Sequence, residues 1–114
     1  MDSLRVLCVE NRRGPRQVLQ NLLERAGYDV ISAESGQQAI TLLLSQAVDG
    51  VLLEYDLPDA DGVSVRREIK RLQPDTPVLL FAGVGPQTPM LIRFFDEYLR
   101  DPGWSEPLAD LPDA

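Results

Sequence analysis

Residues 51–62 of the chain read VLLEYDLPDADG. The first three are apolar and branched, which is typical of a short strand that is buried on both faces. From Leu57 to Gly62 the composition is dominated by proline, aspartate and glycine, which favours a turn. Apolar residues then recur at helical spacing as far as Pro74. The segment therefore predicts a strand, a turn and a helix in succession.

The alternation of strands and helices continues on both sides of this segment. Short apolar runs at residues 4–9, 28–33 and 77–81 predict three more strands, and amphipathic segments between them predict helices. Ser35 and Gln38 have the spacing of a capping box. This order implies a parallel sheet with helices on both faces, whose chemistry lies at the carboxyl ends of the strands. That rule selects five residues: Glu10, Asn11, Glu54, Ala82 and Gly83.

The last third of the chain is less regular. Residues 83–86 predict a flexible connection, residues 88–95 a short helix, and residues 98–99 a brief fifth strand. Three prolines beyond Asp101 argue against a long final helix. We therefore expect two segments: a domain at residues 1–102 and an acidic, proline-containing tail at residues 103–114.

Composition disfavours several classes of function. The chain has 114 residues, enough for one hydrophobic core. Acidic residues outnumber basic ones 18 to 11, and the net charge of −7 disfavours binding to nucleic acid. Cys8 is the single cysteine, it lies in an apolar run, and there is no histidine with which to build a metal site. Because we find no signal peptide and no membrane-spanning run, we expect a cytoplasmic protein.

Four stretches have a characteristic order and spacing: VLCVEN at 6–11, GYDV at 27–30, the segment 51–62, and TPVLLFAG at 76–83. In this respect residues 4–102 resemble the response-regulator receiver domain, and the Leu-Pro-x-x-Asp-Gly pattern is the most specific part. The resemblance implies a flavodoxin-like, doubly wound parallel sheet of five strands, here with a shortened and irregular C-terminal part. It also implies a place in two-component phosphorelay signal transduction.

Family receivers use two acids after the first strand and an aspartate at the end of the third. They add a threonine or serine after the fourth strand and a lysine at the fifth. The aspartate accepts a phosphoryl group, the acids hold Mg²⁺, and the metal, lysine and hydroxyl neutralise the transferred oxygens. The resemblance thus gives each position of the pocket a chemical role.

Most of these positions differ in this chain. The acid pair becomes Glu10 and Asn11, with Asp56 as a further acid of the pocket. The acceptor position holds Glu54, whose extra methylene moves the carboxylate into the space that a phosphoryl group needs. Lys70 is the only lysine of the chain and belongs to the third helix. The switch and lysine positions fall at three further residues: Ala82, Tyr98 and Asp101.

We therefore expect a pseudo-receiver: a protein-interaction module without catalytic residues, with Mg²⁺ binding weak or absent, and not an enzyme. A histidine kinase or an output protein is the expected type of partner, and the sequence does not indicate an oligomeric state. The alternative is an authentic phosphoacceptor that takes phosphate from a histidine kinase on Glu54 or Asp56. A cofactor-binding enzyme of the same fold is disfavoured, because no glycine-rich phosphate loop follows the first strand.

Several charged residues admit two interpretations. Glu54 either imitates the charge of a phosphate or is a neutral replacement in an inactive pocket. The second is favoured because Ala82 cannot hydrogen-bond Glu54 and Asp101 would repel it. Turn chemistry accounts for Asp59 and Asp61 as well as for Asp56.

Three arginines near the pocket could pair with its acids and replace the missing cations: Arg12, Arg13 and Arg16. A basic stripe on the third helix reads as a solvated face: Arg66, Arg67, Lys70 and Arg71. Four aromatic residues either form a partner-binding face or cover the sheet: Phe94, Phe95, Tyr98 and Trp104.

Overall fold

Four parallel strands and four helices make up the structure, a computed structural model that describes residues 3–100. In chain order the elements are β1 Arg5–Val9, α1 Arg13–Arg25, β2 Asp29–Ala33, α2 Gly36–Ser45, β3 Gly50–Glu54, α3 Gly62–Leu72, β4 Val78–Phe81 and α4 Thr88–Arg100. The strands are ordered β2-β1-β3-β4 and every neighbouring pair is parallel. The predicted parallel sheet is therefore confirmed.

Helices cover both faces of the sheet, because strand side chains alternate between two apolar clusters. On one face Cys8 and Leu52 pack with residues of α1 and α4, such as Leu19 and Phe95. On the other face, residues of β1 and β3 pack with α2 and α3. The doubly wound arrangement is thus confirmed. Cys8 is fully buried, and this burial raises the pKa of its thiol to about 12.

Local sequence signals account for the ends of the helices. The Ser35 hydroxyl accepts a hydrogen bond from the Gln38 N–H at 3.1 Å, as the capping box predicts. The Asp61 carboxylate accepts one from the Ser64 N–H at 2.8 Å and so begins α3. After α1, Gly27 adopts a φ of 97°, a left-handed conformation that favours glycine.

The predicted fifth strand at residues 98–99 is wrong, because Tyr98 and Leu99 belong to α4. The predicted short helix is wrong as well, since α4 has 13 residues. Ile92, Phe95 and Tyr98 recur at helical spacing and are buried against the sheet. Because the assignment of Tyr98 to a switch position assumed a strand there, that assignment loses its basis. Asp101, Trp104 and the predicted tail lie outside the described residues.

A polar cluster fastens the end of α4 to the start of β2. The Tyr28 hydroxyl donates a hydrogen bond to Asp96, and Arg100 Nε donates to the same carboxylate at 2.6 Å. The Arg100 guanidinium also lies 4.9 Å from the centre of the Tyr28 ring. These contacts keep α4 beside α1. Within residues 3–100, no helix is long and apolar enough to cross a lipid bilayer.

This cluster predicts a loss of stability at alkaline pH. Burial, together with the hydrogen bond to Asp96, raises the pKa of Tyr28 from 10.0 to about 12. Because the pKa is higher in the folded state, the stabilisation is complete below pH 10 and is lost as the pH rises towards 12. Urea unfolding across this range should show a smaller loss in Tyr28→Phe than in wild type. Equal losses would mean that Tyr28 does not contribute.

Candidate functional site: the acidic pocket at the carboxyl ends of the strands

Two buried glutamates lie at the edge of the sheet where the parallel strands end. Glu10 follows β1 directly and Glu54 is the last residue of β3. The register pairs Val9 with Leu53, which places the two glutamates next to each other. Their exposed fractions are 0% and 1%, although carboxylates are rarely fully buried without a partner. The pocket therefore needs a source of positive charge.

Arg12 supplies that charge. Its Nη2 lies 3.2 Å from Glu10 Oε1 and 3.4 Å from Glu54 Oε1, so one guanidinium bridges both carboxylates. The Arg12 backbone N–H also donates to Glu10 Oε2 at 3.1 Å. The hypothesis that an arginine pairs with these acids is confirmed for Arg12. Arg16 instead donates to the backbone carbonyls of Glu10 and Asn11, and Arg13 is exposed.

Glu54 is held by two backbone donors in addition to Arg12. The Gly83 N–H donates to Oε1 at 2.9 Å and the Asp56 N–H donates to Oε2 at 3.1 Å. The sequence analysis considered only the side chain at position 82, whereas the donor to Glu54 comes from the backbone one residue later. Gly83 has a φ of 75°, which favours glycine and turns its N–H towards the pocket. The Gly83-Val84-Gly85 sequence was the signal for this turn.

The remaining pocket positions carry little of the expected chemistry. Asn11 and Ala82 are exposed, and the Ala82 methyl group has no donor or acceptor. Asp56 is also exposed, at the mouth of the pocket, and contributes its backbone N–H to Glu54. Lys70 lies on α3 and donates to the Thr76 carbonyl at 2.8 Å. The structure thus brings Glu10, Arg12 and Glu54 together and leaves Asn11, Asp56 and Ala82 exposed.

These residues do not fit the magnesium site that the family resemblance implies. Mg²⁺ requires several oxygen ligands that are free to turn towards it. Here each glutamate oxygen already accepts a hydrogen bond, and a guanidinium stands between the two carboxylates. Within residues 3–100, no group of three or more acidic, histidine or cysteine side chains is placed to hold a metal ion.

The aspartates of the turn before α3 have structural partners. Asp61 begins α3, and the two carboxylate oxygens of Asp59 accept the N–H groups of Gly36 and Gln37, each at 2.9 Å. Asp59 therefore caps the start of α2 from a distant turn. The turn composition was recognised in the sequence, but this long-range cap was missed, because no local pattern links residues 36 and 59.

Asp59→Ala should lower the free energy of unfolding by about 1 kcal/mol, the usual effect of a lost helix cap. The two backbone N–H groups of α2 hold the pKa of Asp59 below its ordinary value of 3.8. The stabilisation is therefore present above that value and is lost as the pH falls through the lowered pKa. Asp75→Ala is the matched control, since Asp75 is exposed. Urea unfolding at neutral and acidic pH measures both effects, and equal losses in the two variants would contradict the cap.

Comparisons with known proteins identify the family to which this domain belongs. The family model for the response regulator receiver domain matches residues 6–99. The response regulator MprA of Mycolicibacterium vanbaalenii is 31% identical over 102 residues, which are 87% of this chain and 44% of MprA. The transcriptional regulatory protein ZraR of Escherichia coli K12 is 37% identical over 79 residues, 69% of this chain and 18% of ZraR. The chain thus spans less than half the length of these curated relatives.

A solved structure gives the same fold. The CheY-like receiver domain protein of Methanospirillum hungatei superposes with a TM-score of 0.69 over 83% of this chain and 76% of its own, at 18% identity. The α/β receiver architecture follows from this likeness, with four strands in the described residues rather than five.

The chain belongs to the response regulator receiver domain family. Receiver domains of this family act in two-component signalling and interact with proteins such as histidine kinases and output domains.

Proposed function

We propose that this receiver domain works without phosphoryl transfer, as a protein-interaction module of two-component signalling. One observation carries the proposal: the Glu54 side chain is 2% exposed, and both of its carboxylate oxygens accept hydrogen bonds. A nucleophile needs a free oxygen that an incoming phosphorus atom can approach in line. Glu54 offers neither the free oxygen nor the access.

The charges of the pocket support the same proposal. Transfer of a phosphoryl group places negative charge on oxygens that cations must stabilise. The Arg12 guanidinium is already shared between Glu10 and Glu54, and Lys70 is held at the far end of α3. We therefore propose that the domain is not an enzyme and that Mg²⁺ binds weakly or not at all.

Glu54 also has a positive role in this proposal. By accepting the Gly83 N–H, it ties the end of β3 to the loop that leads from β4 to α4. The fixed charge of Glu54 thereby keeps this loop in a single conformation. Regulatory charges, such as that of a phosphate group, order chain segments in the same way. We propose a histidine kinase or an output protein as the partner and the cytoplasm as the location. The net charge of −7 disfavours nucleic acid as a direct partner.

Beryllium fluoride with Mg²⁺, a mimic of the phosphoryl group, tests this proposal without covalent chemistry. In ¹H–¹⁵N spectra the amides of Gly83 and Asp56 report on Glu54, because each donates to it. We expect neither amide to shift in wild type. The variant Glu54→Asp, Asn11→Asp, Ala82→Thr, which restores the family residues at three positions of the pocket, should respond. A saturable shift of the Gly83 amide in wild type would contradict the proposal.

A second candidate function is that of an authentic phosphoacceptor, with Asp56 as the acceptor. Unlike Glu54, Asp56 is exposed, and it lies two residues beyond the family's acceptor position. Phosphate from a histidine kinase would then be accepted at the mouth of the pocket. Mapping of any phosphorylated peptide to Glu54 or Asp56 distinguishes this function from the first.

A further inference from the structure

On the outer side of α2, an exposed leucine lies next to an open hollow. Leu44 is 65% exposed. One and two turns earlier on the same side of the helix, Ile40 and Gln37 line a hollow of about 260 Å³ between α2 and α3. Ala60 and Val65 complete its apolar part. Because a cavity of about 150 Å³ already holds an apolar molecule the size of benzene, this hollow is large enough for a leucine side chain.

The surface around the leucine and the hollow carries no charge that lacks a partner. Residues 35–48 contain no charged side chain, and α2 is the only one of the four described helices with none. Two acids border the hollow. Asp59 accepts two N–H groups of α2, and Glu68 forms a 2.6 Å ion pair with Arg71. The hollow is therefore lined by neutral residues and by acids that already have partners.

This neutrality suits a contact between two copies of the chain. Each copy has a net charge of −7, so like charges oppose most contacts between copies. In a two-fold contact a surface meets an identical copy of itself, and a charge near the axis faces a like charge. Met90 is 70% exposed, but Arg93 and Glu97 lie beside it on α4. The side of α2 that carries Leu44 has no such charges.

We propose that two copies of this chain associate through α2, each inserting its Leu44 into the hollow of the other. With the two helices antiparallel about an axis at Thr41, Leu44 lies level with position 38 of the other copy. It thus comes between Gln37 and Ile40, which line the hollow. Both insertions form at once, so the contact closes at two copies.

The contact is small and separate from the acidic pocket. None of the residues that hold the buried charges of that pocket lines the hollow: Glu10, Arg12 and Glu54. A dimer through α2 therefore leaves the pocket free for another partner. A contact made mainly by one ten-residue helix is smaller than the roughly 1,200 Å² of stable interfaces, so we expect weak association.

Sedimentation equilibrium tests the association and its anchor. The apparent mass of wild type should rise from that of a monomer towards that of a dimer as the concentration approaches about 1 mM, the range of a weak contact. Leu44→Arg should lower the association constant at least about tenfold, because it brings a charge to each apolar hollow. Met90→Arg adds the same charge at an exposed site on α4 and should not weaken association.

Two results of this experiment would overturn the proposal. One is a wild-type protein that stays monomeric at the highest concentration. The other is a Met90→Arg variant whose association is weakened as much as that of Leu44→Arg, which would show that α2 is not the contact. Since Leu44 is exposed, its replacement should leave thermal unfolding of the dilute protein unchanged.

Disulfide cross-linking tests the position of the axis. Thr41→Cys places a thiol where it meets its own copy, and the native Cys8 is buried and does not compete. Ser45→Cys is the control: Ser45 is also exposed, but its two copies would lie about 12 Å apart along the antiparallel helices, too far for a disulfide. We expect faster cross-linking in Thr41→Cys, and loss of this advantage when Leu44→Arg is added. Equal rates in the two cysteine variants, or a rate in Thr41→Cys that Leu44→Arg leaves unchanged, would refute the α2 dimer.

Discussion

Replacing Gly62 by alanine is expected to lower the free energy of unfolding by about 3 kcal/mol, near the upper end for overpacking of a rigid site. An added Cβ would lie 2.7 Å from the Glu54 carbonyl oxygen and 2.7 Å from Tyr55 Cα. Both are backbone atoms, so no side chain can move aside to make room. The Gly62 N–H also donates to the Tyr55 carbonyl at 2.6 Å, which holds α3 against the end of β3.

Gly14→Ala is the matched control for this substitution. Gly14 lies in α1 with nothing within 4 Å of its added Cβ. Alanine is favoured over glycine in helices, so this variant should be neutral or slightly more stable. Thermal unfolding should separate the two variants by roughly 10 °C or more for a domain of this size. If both alanine variants unfold at the same temperature, the close approach of α3 to β3 is not what fixes the turn.

Arg12→Ala is expected to lower the free energy of unfolding by about 2 kcal/mol, because it leaves two buried carboxylates without their shared cation. The value is below that of a fully buried pair, since the Arg12 side chain is 58% exposed. Removal of the guanidinium frees Glu10 Oε1 and leaves the charge of both carboxylates uncompensated, although the oxygens of Glu54 keep their backbone donors. We therefore expect Mg²⁺ to restore part of the lost stability in this variant and to have no effect on wild type.

Arg13→Ala serves as the control for Arg12→Ala. Arg13 is the exposed neighbour, and its removal should change stability by less than about 0.5 kcal/mol. Sodium chloride at the same ionic strength separates binding of Mg²⁺ from general screening. Arg12 would not be the cation of the pocket if its removal were as harmless as that of Arg13. A Mg²⁺ response in wild type would show that the guanidinium does not exclude the metal.

The central part of the fold could be predicted from the sequence because its signals are local. Buried parallel strands appear in the sequence as continuous apolar runs. The turn before α3 is indicated by Pro58, Asp61 and Gly62. The fifth strand was predicted wrongly at Tyr98 and Leu99, because two residues are too few to show either the strand period or the helical period. Only together with Ile92 and Phe95 does Tyr98 show the helical spacing that buries α4.

The sequence predicted which acidic residues lie in the pocket, but it did not predict the groups that contact them. The rule of strand ends placed Glu10 and Glu54 at one edge of the sheet. Which of three arginines would reach them depends on how α1 leaves β1, and the structure selects Arg12. The backbone donor at Gly83 could not be inferred from the sequence, because comparing Ala82 with the family's threonine or serine considers side chains and not backbone N–H groups.

Intact mass after incubation with acetyl phosphate and Mg²⁺ tests the central claim, that this receiver does not accept a phosphoryl group. The variant Glu54→Asp, Asn11→Asp, Ala82→Thr should be treated beside wild type, since it restores the family residues at three positions of the pocket. We predict that wild type keeps its mass while the variant gains one phosphoryl group. A wild-type protein that gains a phosphoryl group in the presence of Mg²⁺, at Glu54 or at Asp56, would contradict the account.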